Sequence, residues 1–139
     1  MSYGAIIAGL HERFEMVPGI RATLSEEPTT VQTSPLIYSL LDNMRREYGG
    51  GNMVTVRYRI LHRLCIRWSD SRGAERELAD FVNAIPAAID ADPQLGGALP
   101  NGQAMIEEGE AGWVTLGGTT YRSLDFYSNV WEAGPLGMV

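Results

Sequence analysis

Apolar and polar residues alternate along one unusually long stretch of this chain, residues 53–68. Most even positions carry β-branched, aromatic or other apolar side chains, whereas four of the odd positions are Arg57, Arg59, Arg63 and Arg67. Successive side chains of a strand point to opposite faces, so this period of two predicts one strand with a buried face and a cationic face. At ~3.3 Å per residue the strand would span about 50 Å, roughly three times the ordinary length. We therefore expect it to project beyond its own domain and to offer unpaired backbone to a neighbour.

Two other stretches have helical spacing. In residues 3–15 the apolar side chains fall on one side and the polar ones, His11 among them, on the other. In residues 74–90 the apolar side chains recur at intervals of three and four. Pro86 predicts a kink or an end in the last turns of this second helix, because proline lacks the amide donor.

The remaining apolar segments are shorter and predict strands separated by turns. These strands are expected at 20–24, 36–41, 104–108, 113–116 and 120–132. Residues 25–35 are polar and predict a surface loop, while residues 42–52, with three consecutive glycines, predict the floppy tip of a hairpin. Residues 133–139 show no pattern and are expected to form a flexible tail.

The order of these elements predicts an α+β fold. It would consist of a mostly antiparallel sheet with a long β-hairpin and two main helices packed on one face. A chain of 139 residues that is 45% hydrophobic is the size of one ordinary domain, so residues 1–139 are expected to fold as a single unit.

Composition narrows the classes of function. The net charge of -6 argues against non-specific nucleic-acid binding, although all 11 basic residues are arginine. The single cysteine excludes an internal disulfide and a cysteine-based zinc site. Without a long apolar run or a signal peptide, the chain is expected to be cytoplasmic when made and to have no membrane partner.

The search for catalytic chemistry yields little, and we expect no enzyme activity, metal or cofactor. Neither His11 nor His62 stands near a cysteine at ligand spacing, and no nucleotide-binding or nucleophile motif is present. His62 lies among apolar positions, which favours a hydrogen-bonded core or edge histidine. Cys65 lies on the arginine side, where it is either a small strand residue or a thiol of lowered pKa. An acidic cluster is either a pair of catalytic carboxylates or, the better interpretation, a solvated turn: Glu107, Glu108 and Glu110.

The arginine row must contact water, acids or phosphates, because an uncompensated buried charge costs several kcal/mol. Cross-strand pairing within the chain is one possibility, with Asp125 the leading acid. Acidic patches on an adjacent subunit and transient contact with DNA phosphates are the others. The candidate interface or lumen residues are Arg45, Arg46, Tyr48, Arg57, Arg59, Arg63, Arg67 and Asp125.

Residues 35–132 resemble the tail terminator, or tail completion, family of long-tailed bacteriophages and phage-like particles, the lambda gpU-like proteins. The resemblance lies in the order and spacing of packing patterns rather than in a chemical signature. The matching segments are Ser34-Pro35-Leu36-Ile37, Leu64-Cys65-Ile66-Arg67-Trp68-Ser69, the helix with Ala74, Glu75, Leu78, Ala79, Val82 and Ile85, Leu95-Gly96-Gly97, and Tyr121-Arg122-Ser123-Leu124-Asp125-Phe126.

This resemblance implies a virion assembly protein rather than a catalyst. Such proteins form a homo-hexameric ring on the finished tail tube, stop its polymerisation, and present the docking surface for the head and neck, with double-stranded DNA passing through the lumen. A ring assembled through residues 45–59 and their partners fits this role. The alternatives are a head-tail adaptor or stopper of the same neck, a small enzyme, or an interaction domain unconnected with phage.

Overall fold

The computed structural model describes residues 3–68 and 71–137. Ser69, at the predicted end of the long strand, and Met138 and Val139, in the predicted tail, lie outside the described residues. Within those residues the chain forms two helices, a 3-10 turn and five strands. In chain order they are α1 (Tyr3–Glu15), β1 (Ala22–Leu24), β2 (Leu36–Tyr48), β3 (Met53–Arg67), α2 (Ser71–Asp90), the 3-10 turn (Leu95–Gly97), β4 (Gly102–Leu116) and β5 (Thr119–Pro135).

The five strands form one sheet in the order β1-β2-β3-β5-β4. β1 pairs with β2 in parallel, and every other pair is antiparallel. The predicted α+β fold with a mostly antiparallel sheet is therefore confirmed, as are the bounds of α1. The long β-hairpin is β2–β3.

Both helices pack on one face of this sheet, as predicted. The even positions of β3, among them Ile60, Leu64 and Ile66, join Phe14 of α1 and Phe81 of α2 in one buried core. Because β3 alternates strictly, this row of apolar side chains points to the helices while the arginines point to the opposite face. No helix among the described residues packs on that second face.

β3 itself does not project from the domain, contrary to expectation. It is an interior strand, paired with β5 along Met53–Arg67 and with β2 from Val54 to Cys65. Unpaired strand backbone therefore belongs to the outer strands and not to the strand whose pattern is clearest.

Three strands are longer than predicted, because each continues beyond the apolar segment from which it was predicted. β2 continues to Tyr48 through residues that were expected in the hairpin tip, and the predicted strands 104–108 and 113–116 are one strand, β4. Residues 133–135 of the predicted tail belong to β5, and the Leu136 amide donates to the Asn52 carbonyl over 2.8 Å.

α2 also continues past its proline, to Asp90. The carbonyl that Pro86 leaves without an amide donor is that of Val82, four residues earlier. Both residues border an open groove beside β4. The helix passes through Pro86 without ending there.

Two β-bulges border one row of residues across the sheet. This row runs from Leu41 through Ile60 and Ser128 to Ile106. The register shifts just beyond Leu41 in β2 and just beyond Ile106 in β4. Each bulge adds a residue to one strand and increases local bending and twist.

Candidate functional site

The sheet has two open edges, on opposite sides. β1 covers β2 only from Leu36 to Tyr38, and β4 pairs with β5 alone. Among the described strands, none pairs with the outer side of β2 beyond Tyr38 or with the outer side of β4. An open edge presents unpaired amides and carbonyls, which are a template for another strand.

The open part of β2 is exposed on both of its faces. Exposed apolar side chains stand there, with Leu41 49%, Met44 50% and Tyr48 70% accessible. Arg45 and Arg46 lie between them, and the Arg46 guanidinium contacts Tyr48 by donating to its hydroxyl and by lying 5.7 Å from its ring centre. The candidate interface residues Arg45, Arg46 and Tyr48 are thus brought together on one open edge.

At the centre of the uncovered face, Arg63 and Asp125 form a cross-strand ion pair, which is one of the three possibilities that the sequence left open for the arginine row. Nε and Nη2 of Arg63 donate to the two carboxylate oxygens over 2.8 and 2.9 Å, and Nη1 donates to the Tyr38 hydroxyl over 3.1 Å. Hydrogen bonding to Asp125 is the main cause that raises the pKa of Arg63 above its ordinary value. Both partners are largely shielded from water, so this pair belongs to the fold of the single chain.

Toward the hairpin tip, the other arginines of the row are paired within the chain but more exposed. Arg59 contacts Asp42 at 3.2 Å and also Glu108, and its guanidinium lies 4.1 Å from the ring centre of Tyr127. Arg57 contacts Glu47 at 3.2 Å. Pairing within one chain therefore satisfies much of the cationic row.

Three of the candidate arginines are left with little or no compensation. Arg45 lies 3.8 Å from Glu47, a distant contact between exposed groups. No described carboxylate lies within 4.0 Å of Arg46 or Arg67. At the end of β3, the Arg67 backbone amide donates to the Ser34 hydroxyl oxygen over 2.8 Å, and the Arg67 side chain is exposed.

The acidic cluster lies in the middle of β4, so its prediction as a turn is wrong. All three glutamates are solvent-exposed, as expected of that cluster. Glu108 contacts Arg59, whereas no arginine among the described residues lies within 4.0 Å of Glu107 or Glu110. The open edge of β4 is therefore acidic and the open part of β2 carries uncompensated arginines.

A chain of buried polar groups crosses the helix-covered face. His62 is completely buried, with Nδ1 at 2.6 Å from the Ser39 hydroxyl and Nε2 at 2.7 Å from the Ser128 hydroxyl. The Ser39 hydroxyl also lies 2.8 Å from Nε2 of His11, which is buried and not on the polar side of α1. Burial lowers the pKa of His62 to about 3 and also lowers that of His11. The predicted hydrogen-bonded core histidine is confirmed, and its hydrogen-bond partners are buried with it.

Cys65 is also buried, and a lowered thiol pKa is ruled out. Val31, from the loop before β2, packs against Tyr38, Cys65 and Tyr121 and closes this end of the otherwise uncovered face. Burial raises the pKa of the Cys65 thiol to about 12, because the thiolate loses its hydration. The thiol is therefore neutral and inert in the folded chain.

A cleft of about 620 Å³ lies between α2 and the loop before β2. It is open and carries mixed charge, with Arg21 and Arg67 opposite Glu77 and Asp80. In residues 3–68 and 71–137, no group of three histidine, cysteine or acidic side chains is arranged to hold a metal ion, and no helix is long and apolar enough to cross a membrane.

Comparison with known proteins assigns no family to this chain. No protein-family model matches it, and no curated protein sequence gives a significant match. The open edges, their charges and their exposed apolar side chains are therefore the features from which a function can be inferred.

Proposed function

We propose that this protein is a structural assembly protein of a phage tail or phage-like particle. It forms a homo-hexameric ring on the end of the tail tube, ends tube polymerisation, and provides the surface to which the head and neck dock. It acts in the host cytoplasm during assembly and in the tail-neck region of the virion afterwards.

The observation that carries the proposal is the pair of open, dissimilar sheet edges. A ring requires two different surfaces on each subunit, one for the preceding neighbour and one for the following neighbour. The outer sides of β2 and β4 are two such surfaces, separated by the width of the sheet. Strand addition at these edges supplies main-chain hydrogen bonds to each contact.

The reactive side chains support a structural role. His62 and Cys65 are fully buried, and His11 is nearly so. The serines near the histidines lie in the same sealed core, so their proximity offers no nucleophile to a substrate. Groups that could act in catalysis are thus used for packing and hydrogen bonding.

The resemblance to tail terminators supplies the biological setting. It implies a tube protein as partner on one side, a head-completion or neck protein on the other, and DNA in the lumen. Since Arg57, Arg59 and Arg63 are paired within the chain, the uncovered sheet face offers DNA few free cations. Weak phosphate contact suits a channel through which DNA must slide.

Electron microscopy of the purified chain, with and without the tube protein of the same particle, tests the proposal. We expect sixfold rings, binding at one end of each tube, and tubes that stop lengthening once capped. A head-tail adaptor or stopper would leave tube length unchanged. Absence of rings at every concentration, together with unaltered tube growth, would refute the proposal.

A further inference from the structure

We infer that the partner of the open β4 edge is the open β2 edge of a second copy, so that subunits join head to tail through one continuous sheet. The inference rests on the proposed function, in that it assigns the subunit interface of the ring. It concerns two surfaces: the β2 edge, residues 41–48, and the β4 edge, residues 103–112.

Charge favours pairing between unlike edges. The β2 edge carries Arg45 and Arg46, which have little or no compensation, and the β4 edge carries Glu107 and Glu110, which no described arginine contacts. Two β2 edges would bring arginines together, and two β4 edges would bring glutamates together. Like charges on paired strands are destabilising, so the symmetric pairings are disfavoured and the head-to-tail pairing is favoured.

Exposed apolar surface on the two edges also matches. Leu41 and Met44 pair in register with Ile60 and Tyr58 and so share the helix-covered side of the sheet. A groove lies on that same side next to β4. It measures about 230 Å³ and is lined by Val82, Pro86, Ile106, Glu107, Glu108, Gly109, Leu124 and Phe126.

Gly109 leaves room above the floor of this groove. A Cβ at that position would lie 3.4 Å from the Phe126 ring, so the absent side chain widens the groove over that buried ring. A neighbour's β2 strand beside β4 places Leu41 or Met44 at the groove, where either would bury apolar surface. Backbone, charge and apolar contacts therefore coincide on one pair of edges.

Strand direction fits a rotational assembly. β2 and β4 run antiparallel to each other within the sheet, since β2 is antiparallel to β3, β3 to β5 and β5 to β4. Rotation about an axis near the strand direction keeps each strand's sense, so every new junction between β2 and β4 is antiparallel. The same rotation keeps the helix-covered face on one side of the ring throughout.

The charges also fix the tilt of the strands. Within one chain Arg45 lies level with Gln103, about five residues before Glu108. Strands in closed sheets are tilted by roughly 35–45°, which over the four strands from β2 to β4, about 4.8 Å apart, shifts the register by some 13–19 Å, or about four to six residues. Arginines and glutamates meet in a ring tilted in the sense that moves the β4 acids toward the neighbour's hairpin tip.

Charge reversal tests this pairing more sharply than loss of charge, because a second reversal on the partner edge should restore association. One variant carries Arg45→Glu with Arg46→Glu, and the other carries Glu107→Arg with Glu110→Arg. Sedimentation velocity over a concentration series measures association, and circular dichroism verifies folding. Each variant alone should associate at least about tenfold more weakly than wild type, since every junction then has like charges.

Restoration is the decisive result. In an equimolar mixture of the two variants, unlike edges face each other again, so association should return to within about threefold of wild type. A chain carrying all four changes should do the same. As a control for net charge, Arg72→Glu with Arg76→Glu alters exposed α2 residues and should leave association unchanged.

The outcomes separate this inference from the proposed function. Wild-type rings that persist in either reversal variant, or a mixture that fails to reassociate, would overturn the edge pairing while leaving a ring protein. A wild-type chain that stays monomeric at all concentrations would count against both. Reassociation that depends on mixing would establish the second copy, and not the tube or neck protein, as the occupant of the β4 edge.

Discussion

Acid should destabilise this fold through the buried histidine at its centre. His62 has a pKa of about 3 in the folded chain, against an ordinary value of 6.5. Below 6.5 the unfolded chain therefore binds a proton that the folded chain does not, and unfolding becomes more favourable as pH falls toward 3. The full contribution of His62 is present above pH 6.5.

The magnitude follows from proton linkage. Between pH 7 and pH 5 the unfolded state gains about 2 kcal/mol from protonation of this one side chain, because each pKa unit corresponds to about 1.36 kcal/mol. His11, whose pKa is also lowered, acts in the same direction. Glu132 acts oppositely, because burial raises the pKa of its carboxyl and proton uptake then favours the folded state.

Urea unfolding at constant ionic strength, followed by tryptophan fluorescence, measures this effect. His62→Gln should lower the free energy of unfolding at pH 7 yet reduce its dependence on pH between 7 and 5 by about 2 kcal/mol. The contributions of His11 and Glu132 are common to both proteins and largely cancel in the comparison. Equal pH dependence in wild type and variant would refute the assignment of His62 as a neutral core residue.

Three further changes test other parts of the structure. Arg63→Gln should lower the free energy of unfolding in urea by about 2 kcal/mol, because it leaves the shielded Asp125 carboxylate without its partner. Arg57→Gln removes an exposed pair and should lower it by less than about 0.5 kcal/mol. Equal losses in the two variants would contradict the difference in burial. The Cys65 thiol should react with a thiol reagent only as the chain unfolds, and rapid labelling of the native protein would show that its end of the sheet is open. Gly102→Ala should lower the free energy of unfolding by several kcal/mol or prevent folding, because the added Cβ would overlap the backbone of the facing strand. Gly50→Ala should be nearly neutral in the same assay, because its Cβ would meet no atom within 4 Å.

The interior elements of the fold were predictable from the sequence. Burial of one face makes apolar residues recur every two positions in a strand and every three or four in a helix. β3 alternates from Met53 to Arg67, one residue short of the prediction, since each side chain faces either the helices or the arginine side. The bounds of α1, Tyr3–Glu15, were predicted correctly because its apolar residues recur at helical spacing. The cost of leaving a charge unpaired required partners for the arginine row, and Asp125, one candidate among the alternatives, is the partner of Arg63.

The outer strands could not be predicted in this way. The second half of β2 is exposed on both faces, so its sequence has no alternation to reveal a strand. The acidic middle of β4 has the composition of a turn for the same reason. The candidate interface lies in these segments, because an edge that awaits a partner is exposed in the single chain.

The environments of Cys65 and His11 were also predicted wrongly, because they depend on contacts between residues distant in sequence. Cys65 has arginines two residues away on either side of its own strand face, but its environment depends on a loop whose only strongly apolar residue is Val31. His11 is buried because Ser39 lies opposite it on the sheet, a contact 28 residues away in sequence. Neither contact leaves a periodic signal.

The two bulges that border the row from Leu41 to Ile106 place one extra residue in each of two strands with open edges, next to the same row of the sheet. In an assembly joined through those edges, the angle between successive subunits is the sum of the twist and bend across the four strands from β2 to β4. That angle decides how many copies complete a full turn, and an angle that does not divide the circle would produce an open helix in place of a ring. A single inserted residue on each outer strand thus bears on the number of subunits, and through it on the width of the channel they enclose.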